Sequence, residues 1–233
     1  EYRQGKYASP LEVIGEAPRK TGSKTTFWPD PEIFETTVFD YDTIQHRLRE
    51  MAFLNKGIKI SLKDERVGRK KSEIFHYEGG IKEMVAFQNS NKDPIHPDVI
   101  YFEVSRDTQE VEIAMQYTDN YSELILGYAN NINTVDGGTH LIGFKSALTK
   151  VINDYGRRAK ILKDSDDALT GDDVREGLPA VISVKLQNPE FEGQTKSKLG
   201  NPETRGFVES ATNDYLMAFL EQNPSQAKSI IEK

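Results

Sequence analysis

The segment Phe191-Glu192-Gly193-Gln194-Thr195-Lys196-Ser197-Lys198 carries the most suggestive chemistry in the chain. Gly193 lets the backbone turn. Gln194, Thr195 and Lys196 then supply an amide, a hydroxyl and an ammonium at consecutive positions. In an extended loop, Gln194 and Lys196 would project to the same side. That pair could reach a terminal phosphate, with the ammonium offsetting charge that builds up during phosphoryl transfer. The plainer alternative is a solvated basic loop.

Other groups point to chemistry less strongly. Gly137-Gly138 ahead of a helix could hold an anion at the helix N-terminus, but a tight turn and cap is the better reading. His46, His76, His96 and His140 show no metal-ligand spacing, so no metal site is expected. Asp172, Asp173 and Glu176 lie close together, yet helix starts attract acids, and Thr170 with Asp173 fits a cap. No serine nucleophile elbow, phosphate-binding loop or dinucleotide fingerprint occurs. Arg157, Arg158, Lys160 and Lys163 form a local basic patch, read either as a contact to DNA phosphates or as a solvated helix end.

Composition limits these choices. The 233 residues carry 30 basic and 37 acidic side chains, a net charge of −7. Such a chain is not a general polyanion binder, and any DNA contact must work locally against the global field. There is no cysteine, which excludes disulfides, thiolate metal sites and cysteine nucleophiles. No apolar run approaches the ~20 residues of a membrane span, and no secretory leader opens the chain. A soluble, cytoplasmic protein is expected. The start at Glu1 and the end inside a helical pattern suggest a piece of a longer polypeptide.

The elements that must position these groups follow from periodicity. Residues 1–30 read as short strands and turns, with apolar or β-branched clusters at 11–14 and 25–28 around a basic loop at 19–24. A helix is predicted over 42–55, capped by Asp42 with Gln45, with Ile44, Leu48, Met51 and Ala52 on one face. Ile58, Ile60 and Leu62 alternate as a half-buried strand, and Ile74, Phe75 and Tyr77 suggest its partner. Gly79-Gly80 is a breakpoint before a helix at 81–87. Strands at 99–104, 111–117 and 124–128 read as an antiparallel meander. A helix after His140 buries Leu141, Phe144, Leu148, Val151, Ile152 and Tyr155. An apolar strand spans 178–186. A helix over 202–221 turns Phe207, Val208, Ala211, Tyr215 and Phe219 inward, and Asn223-Pro224 caps and opens another.

Longer motifs add a resemblance. Thr134-Val135-Asp136-Gly137-Gly138-Thr139-His140 with Gly143-Phe144, Leu169-Thr170-Gly171-Asp172-Asp173-Val174-Arg175-Glu176-Gly177-Leu178, and 191–196 with Lys198-Leu199-Gly200-Asn201 closely resemble the bacterial DNA gyrase B family. Upstream, 21–30, Ala52-Phe53-Leu54-Asn55-Lys56-Gly57 and His76-Tyr77-Glu78-Gly79-Gly80 match in the same order, so the resemblance covers essentially the whole chain. The alternatives are the B-type subunit of topoisomerase IV, which decatenates DNA, and a non-catalytic interaction module of the same fold.

The resemblance implies an α+β fold. Residues 1–79 would be the C-terminal portion of a GHKL-type ATPase α/β sandwich. Residues 80–222 would be a transducer domain of ribosomal-protein-S5-domain-2-like fold, and 223–233 the start of a helix toward the cleavage module. Lys196 would be catalytic, contacting the γ-phosphate of ATP; Gln194 would meet the same phosphate, and Ser23 would place a hydroxyl in the adenine pocket. Arg157, Arg158, Lys160 and Lys163 would face DNA. ATP and Mg²⁺ would serve the intact parent. Partners would be DNA gyrase A, double-stranded DNA and a second copy of gyrase B, with no membrane. The family's general base, Mg²⁺-binding asparagine, adenine-binding aspartate and lid would lie upstream of Glu1, so the chain alone is expected neither to hydrolyse ATP nor to cut DNA.

Overall fold

Residues 179–186 are apolar at nearly every position, and such a strand needs cover on both faces. The computed structural model describes residues 1–16 and 21–233. Of the basic loop at 19–24, Arg19 and Lys20 fall outside the described residues. The chain divides into a unit over Glu1–His46 and a larger one over Arg47–Lys233.

In the first unit, β1 (Tyr2–Arg3) and β2 (Lys6–Tyr7) form a hairpin. The clusters at 11–14 and 25–28, expected as strands, are irregular, and Leu11, Val13 and Ile14 are almost fully exposed. β-propensity yields a strand only where a neighbouring backbone pairs with it. Helix α1 spans Tyr41–Leu54. Asp40, not Asp42, is its cap: its Oδ1 accepts from the Thr43 amide at 2.7 Å and the Thr43 hydroxyl at 2.6 Å. An acid two residues upstream of the expected one meets the free N–H groups first.

In the larger unit, β3 (Lys59–Asp64) and β4 (Lys71–His76) pair antiparallel, and α2 (Ile81–Gln88) follows. Then come β5 (Ile100–Arg106), β6 (Gln109–Met115), β7 (Leu124–Ala129), β8 (Ile132–Asn133), α3 (Thr139–Arg158), α4 (Gly171–Arg175) and β9 (Pro179–Leu186). The hairpin of β10 (Phe191–Glu192) and β11 (Lys198–Leu199) leads to α5 (Pro202–Gln222) and α6 (Pro224–Ile231). The main sheet has the order β5-β6-β9-β7-β8.

The expected meander holds only for its first pair. β9 takes the place beside β6, and β7 pairs with β9 in parallel. The most apolar strand sits at the centre, where both its faces are covered, and a parallel neighbour requires a crossover, here through α3 and α4. One face of the sheet presents Ile113, Met115, Ile182 and Val184 to Phe144, Leu148, Val208 and Leu216 of α3 and α5. The other presents Ala114, Val181 and Tyr128 to Phe53 and Leu54 of α1 and Val85 of α2.

The two long helices approach closely because α3 has glycine at the contact. A Cβ on Gly143 would collide with the Arg205 carbonyl of α5. In α5, Tyr215, expected inward, stays half-exposed and stacks on Phe102 at 5.4 Å, while Leu216 and Leu220 fill the interior. Asn223 makes no side-chain cap for α6. Its amide instead donates to the Phe219 carbonyl at 2.9 Å, closing α5. Among the described residues no helix is long and apolar enough to cross a membrane.

Leu148 is fully buried between α3 and the sheet. Replacing it with alanine is expected to cost about 2–5 kcal/mol, read as a lowered urea midpoint with an unchanged slope.

Candidate functional site

The Gln-Thr-Lys segment forms the tip of the β10–β11 hairpin. Phe191 lies opposite Leu199 and Glu192 opposite Lys198, with a cross-strand ion pair from Lys198 to Glu192 at 3.0 Å. Only five residues join the two strands, so the tip is a turn and not the extended loop expected. The Lys196 amide donates to the Gly193 carbonyl at 3.3 Å. Gly193 and Lys196 both have positive φ, 78° and 55°. For lysine that left-handed backbone costs roughly 1 kcal/mol. Gln194, Thr195 and Lys196 are exposed. The Lys196 ammonium lies 5.9 Å from the centre of the Phe191 ring.

Below the tip the stem is held firmly. Leu199 is fully buried. Asn201, also buried, accepts from the Glu190 amide at 2.7 Å and donates to the Asn188 carbonyl at 3.1 Å and to Glu203 at 2.9 Å. The Gly200 amide donates to the Glu190 carbonyl at 2.8 Å. These contacts tie the two ends of the loop together at its base.

The stem rests on the turn that begins α3. The Leu199 amide donates to the Gly137 carbonyl at 3.2 Å, and Gly138 bridges Leu199 in parallel. Gly138 has φ 142°, and a Cβ there would lie 2.6 Å from the Leu199 backbone nitrogen and oxygen. Gly138 therefore serves a close backbone approach, while Gly137, at φ 83°, serves the turn itself. Asp136 adds two contacts: its amide donates to the Ser197 carbonyl at 2.9 Å, and its carboxylate accepts from the Ser197 hydroxyl.

The turn is itself fixed to the sheet. The Thr134 amide and hydroxyl both donate to the Gly127 carbonyl of β7, at 2.9 and 3.0 Å. Because that hydroxyl's proton is committed, it accepts from His140 Nε2 at 3.1 Å. His140 Nδ1 is then a buried acceptor with no hydrogen-bond partner among the described residues. Burial pushes the imidazole down to about 4, so it is neutral at pH 7. His96 is likewise structural, accepting from the Tyr117 amide at 2.9 Å and donating to the Asp98 carbonyl at 2.8 Å.

The remaining predicted residues are placed as follows. Ser23 is exposed in irregular chain of the first unit, while Gln194 and Lys196 belong to the second. Arg157 donates to the carbonyls of Lys163 at 3.0 Å and Asp166 at 2.9 Å, bracing the loop after α3. Arg158 pairs with Glu221 of α5 at 2.6 Å. Both guanidinium groups thus have intramolecular partners, while Lys160 and Lys163 are exposed. Thr170 and Asp173 form a reciprocal capping box on α4, and Asp172 pairs with Arg175 at 2.6 Å, so these acids do helix work as expected.

One acidic trio, Glu103, Glu110 and Glu112, brings carboxylate oxygens within 4.8 Å of one another. Two ammonium groups already occupy it. Lys56 reaches Glu112 at 2.8 Å and Glu103 at 2.9 Å, and Lys185 reaches Glu110 at 3.1 Å. Burial opposes the Lys56 charge, but hydrogen bonds with Glu112, Tyr101 and Glu103 outweigh it and hold the ammonium above its ordinary range. A divalent cation does not fit a cluster so neutralised.

The DNA gyrase B family model matches residues 80–233. The chain belongs to the DNA gyrase B family. It is 56% identical over its whole length to the gyrase B protein of Clostridium acetobutylicum, of which it covers 36%. It is 52% identical to that of Bacillus mycoides, of which it covers 57%. The chain thus spans only part of the gyrase B relatives it matches. Among solved structures, 98% of the chain aligns with 62% of the 43K ATPase domain of Thermus thermophilus gyrase B in complex with an aminocoumarin, at 42% identity and TM-score 0.84. The topoisomerase IV ATP-binding domain of Francisella tularensis, in complex with a small-molecule inhibitor, aligns with 88% of the chain at 28% identity and TM-score 0.73, with 55% of that domain covered. The gyrase B motifs at 134–140 and 191–201 are therefore two sides of one seam. Sequence reasoning named both without seeing that Asp136, Ser197 and Asn201 join and brace them. Their small polar types beside glycine were the available signal.

His140 carries a testable consequence. The unfolded imidazole takes its proton near 6.5 and the folded one near 4. The unfolded state therefore binds more protons between those values, and stability falls as pH drops from 6.5 toward 4. Urea denaturation across that window is expected to show a slope that His140→Gln flattens by up to about 1.4 kcal/mol per pH unit.

Proposed function

We propose that this chain is the part of a gyrase B protein that couples ATP binding and hydrolysis to DNA strand passage and negative supercoiling. The observation that carries the reading is an exposed Gln194-Thr195-Lys196 tip on a rigidly seated stem in a member of the gyrase B family. In this reading residues 1–79 end an ATPase domain, 80–222 form the transducer and 223–233 begin the connection to the cleavage module. The complete protein would act in the cytoplasm with DNA gyrase A, double-stranded DNA and a second copy of gyrase B.

The roles follow from the side chains. Lys196 brings a full positive charge on a flexible stem, suited to the γ-phosphate as its negative charge shifts during transfer. Gln194 offers an amide donor to the same group. Ser23 would offer its hydroxyl to the adenine. Loss of the γ-phosphate would remove the charge holding the tip, freeing the transducer to move relative to the ATPase domain. Mg²⁺ would assist phosphoryl transfer in the complete protein. The acidic trio around Lys56 is unsuited to holding it, and no step here depends on that cluster.

Two tests apply. In full-length gyrase B, Lys196→Ala is expected to lower ATP hydrolysis about 100-fold or more while changing stability by under about 0.5 kcal/mol. Parental turnover would sink the assignment. For the DNA contact, Lys160 and Lys163 are the candidates because Arg157 and Arg158 are engaged internally. Their joint change to glutamine is expected to flatten the salt dependence of DNA binding by about one unit of slope per lost phosphate contact.

A further inference from the structure

We propose that Asp136 is a positioning residue for Lys196, acting through Ser197. The inference rests on Lys196 being the γ-phosphate contact. Ser197 is the neighbour of Lys196 on the stem side and is held twice, through its carbonyl by the Asp136 amide at 2.9 Å and through its hydroxyl by the Asp136 carboxylate. Two contacts to one residue fix both its place and its orientation.

The other side of the tip has no comparable clamp. Among the described residues, the hydrogen bonds of 193–195 stay within the loop: Gly193 accepts from Lys196, and the Thr195 hydroxyl meets that of Ser197 at 3.2 Å. The tip is asymmetric as a result. Lys196 departs from an anchored residue, while Gln194 sits on the free side. The ammonium swings about a fixed point, and the amide can follow the nucleotide.

The anchor is tied into the core. Asp136 belongs to a turn closed by the Gly137 amide donating to the Thr134 carbonyl at 2.8 Å, and Thr134 is bonded to Gly127 of β7. Hydrogen bonds at both ends of the 134–137 turn therefore link a sheet strand to the residue beside Lys196. Pre-ordering of this kind acts on the transition state, because it removes motion that would otherwise be lost when the ammonium meets the developing charge. Asp136 is exposed and the stem keeps Leu199, Gly138 and Asn201 without it, so its loss spares the fold.

The test uses ATP with full-length gyrase B. Asp136→Ala is expected to lower kcat about 5- to 10-fold, the size of one lost hydrogen bond, with KM for ATP and Tm nearly unchanged. Asp136→Asn keeps the backbone donor and an acceptor oxygen and restores most of the rate. In a Lys196→Ala background, Asp136→Ala adds no further loss. Parental kcat in Asp136→Ala overturns the proposal, as does an undiminished loss in the Lys196→Ala background. Should Lys196→Ala itself turn over normally, the γ-phosphate reading fails separately. Amide exchange across 194–199 then decides the clamp alone: faster exchange in Asp136→Ala supports it, and unchanged exchange refutes it.

Discussion

The contact between the Gly138 and Leu199 backbones places the hairpin against the start of α3 with no side chain between them. A Cβ at residue 138 would meet backbone atoms at 2.6 Å, so glycine is required for the two segments to touch. Leu199, once docked, is fully buried. The position of the loop tip follows from this seat, because the tip is only five residues long and is carried by the stem. The turn beneath it is fixed in the same way, through Thr134 and a histidine kept neutral by burial.

The sheet supplies the rigid base. β9 is covered on both faces and is paired along its length with β6 and β7. Its two faces differ in character. One is an apolar core against α3 and α5. The other becomes polar toward one end, where Glu112 is buried beneath Lys56. A buried carboxylate without that ammonium would be costly, so Lys56 ties the segment after α1 to the strands β5 and β6 by charge and hydrogen bonds as well as by packing. Tyr128 does similar work, its hydroxyl donating to Glu50 of α1 at 2.6 Å.

A firm stem with an exposed tip divides two requirements between two sets of residues. Holding the loop needs burial and backbone pairing, which Leu199, Gly138 and Asn201 supply. Under the proposed function, reaching a nucleotide would need exposed donors with freedom to move, and Gln194 and Lys196 are exposed at the tip. Elements that change state in a coupled cycle come from the less constrained parts of a structure, and in the proposed cycle that part of the hairpin would be its five-residue tip.

Much of this architecture was legible from residue types. The apolar face of α3, the capping box of Thr170 and Asp173 and the apolar strand ending at Leu186 depend on neighbours three or four positions away, or on side-chain polarity alone. Those forces are local, so the amino-acid order by itself determined them, along with the family motifs that name the loop. Strand order, the outward lean of Tyr215 and the seat of the hairpin on the turn before α3 were decided only in three dimensions. β9 enters between β6 and β7 because central burial is settled by competition among all strands, which no single segment encodes. The join of Asp136 to Ser197 spans 61 positions, and hydrogen bonds over such distances form only after the backbone has brought their donors and acceptors together.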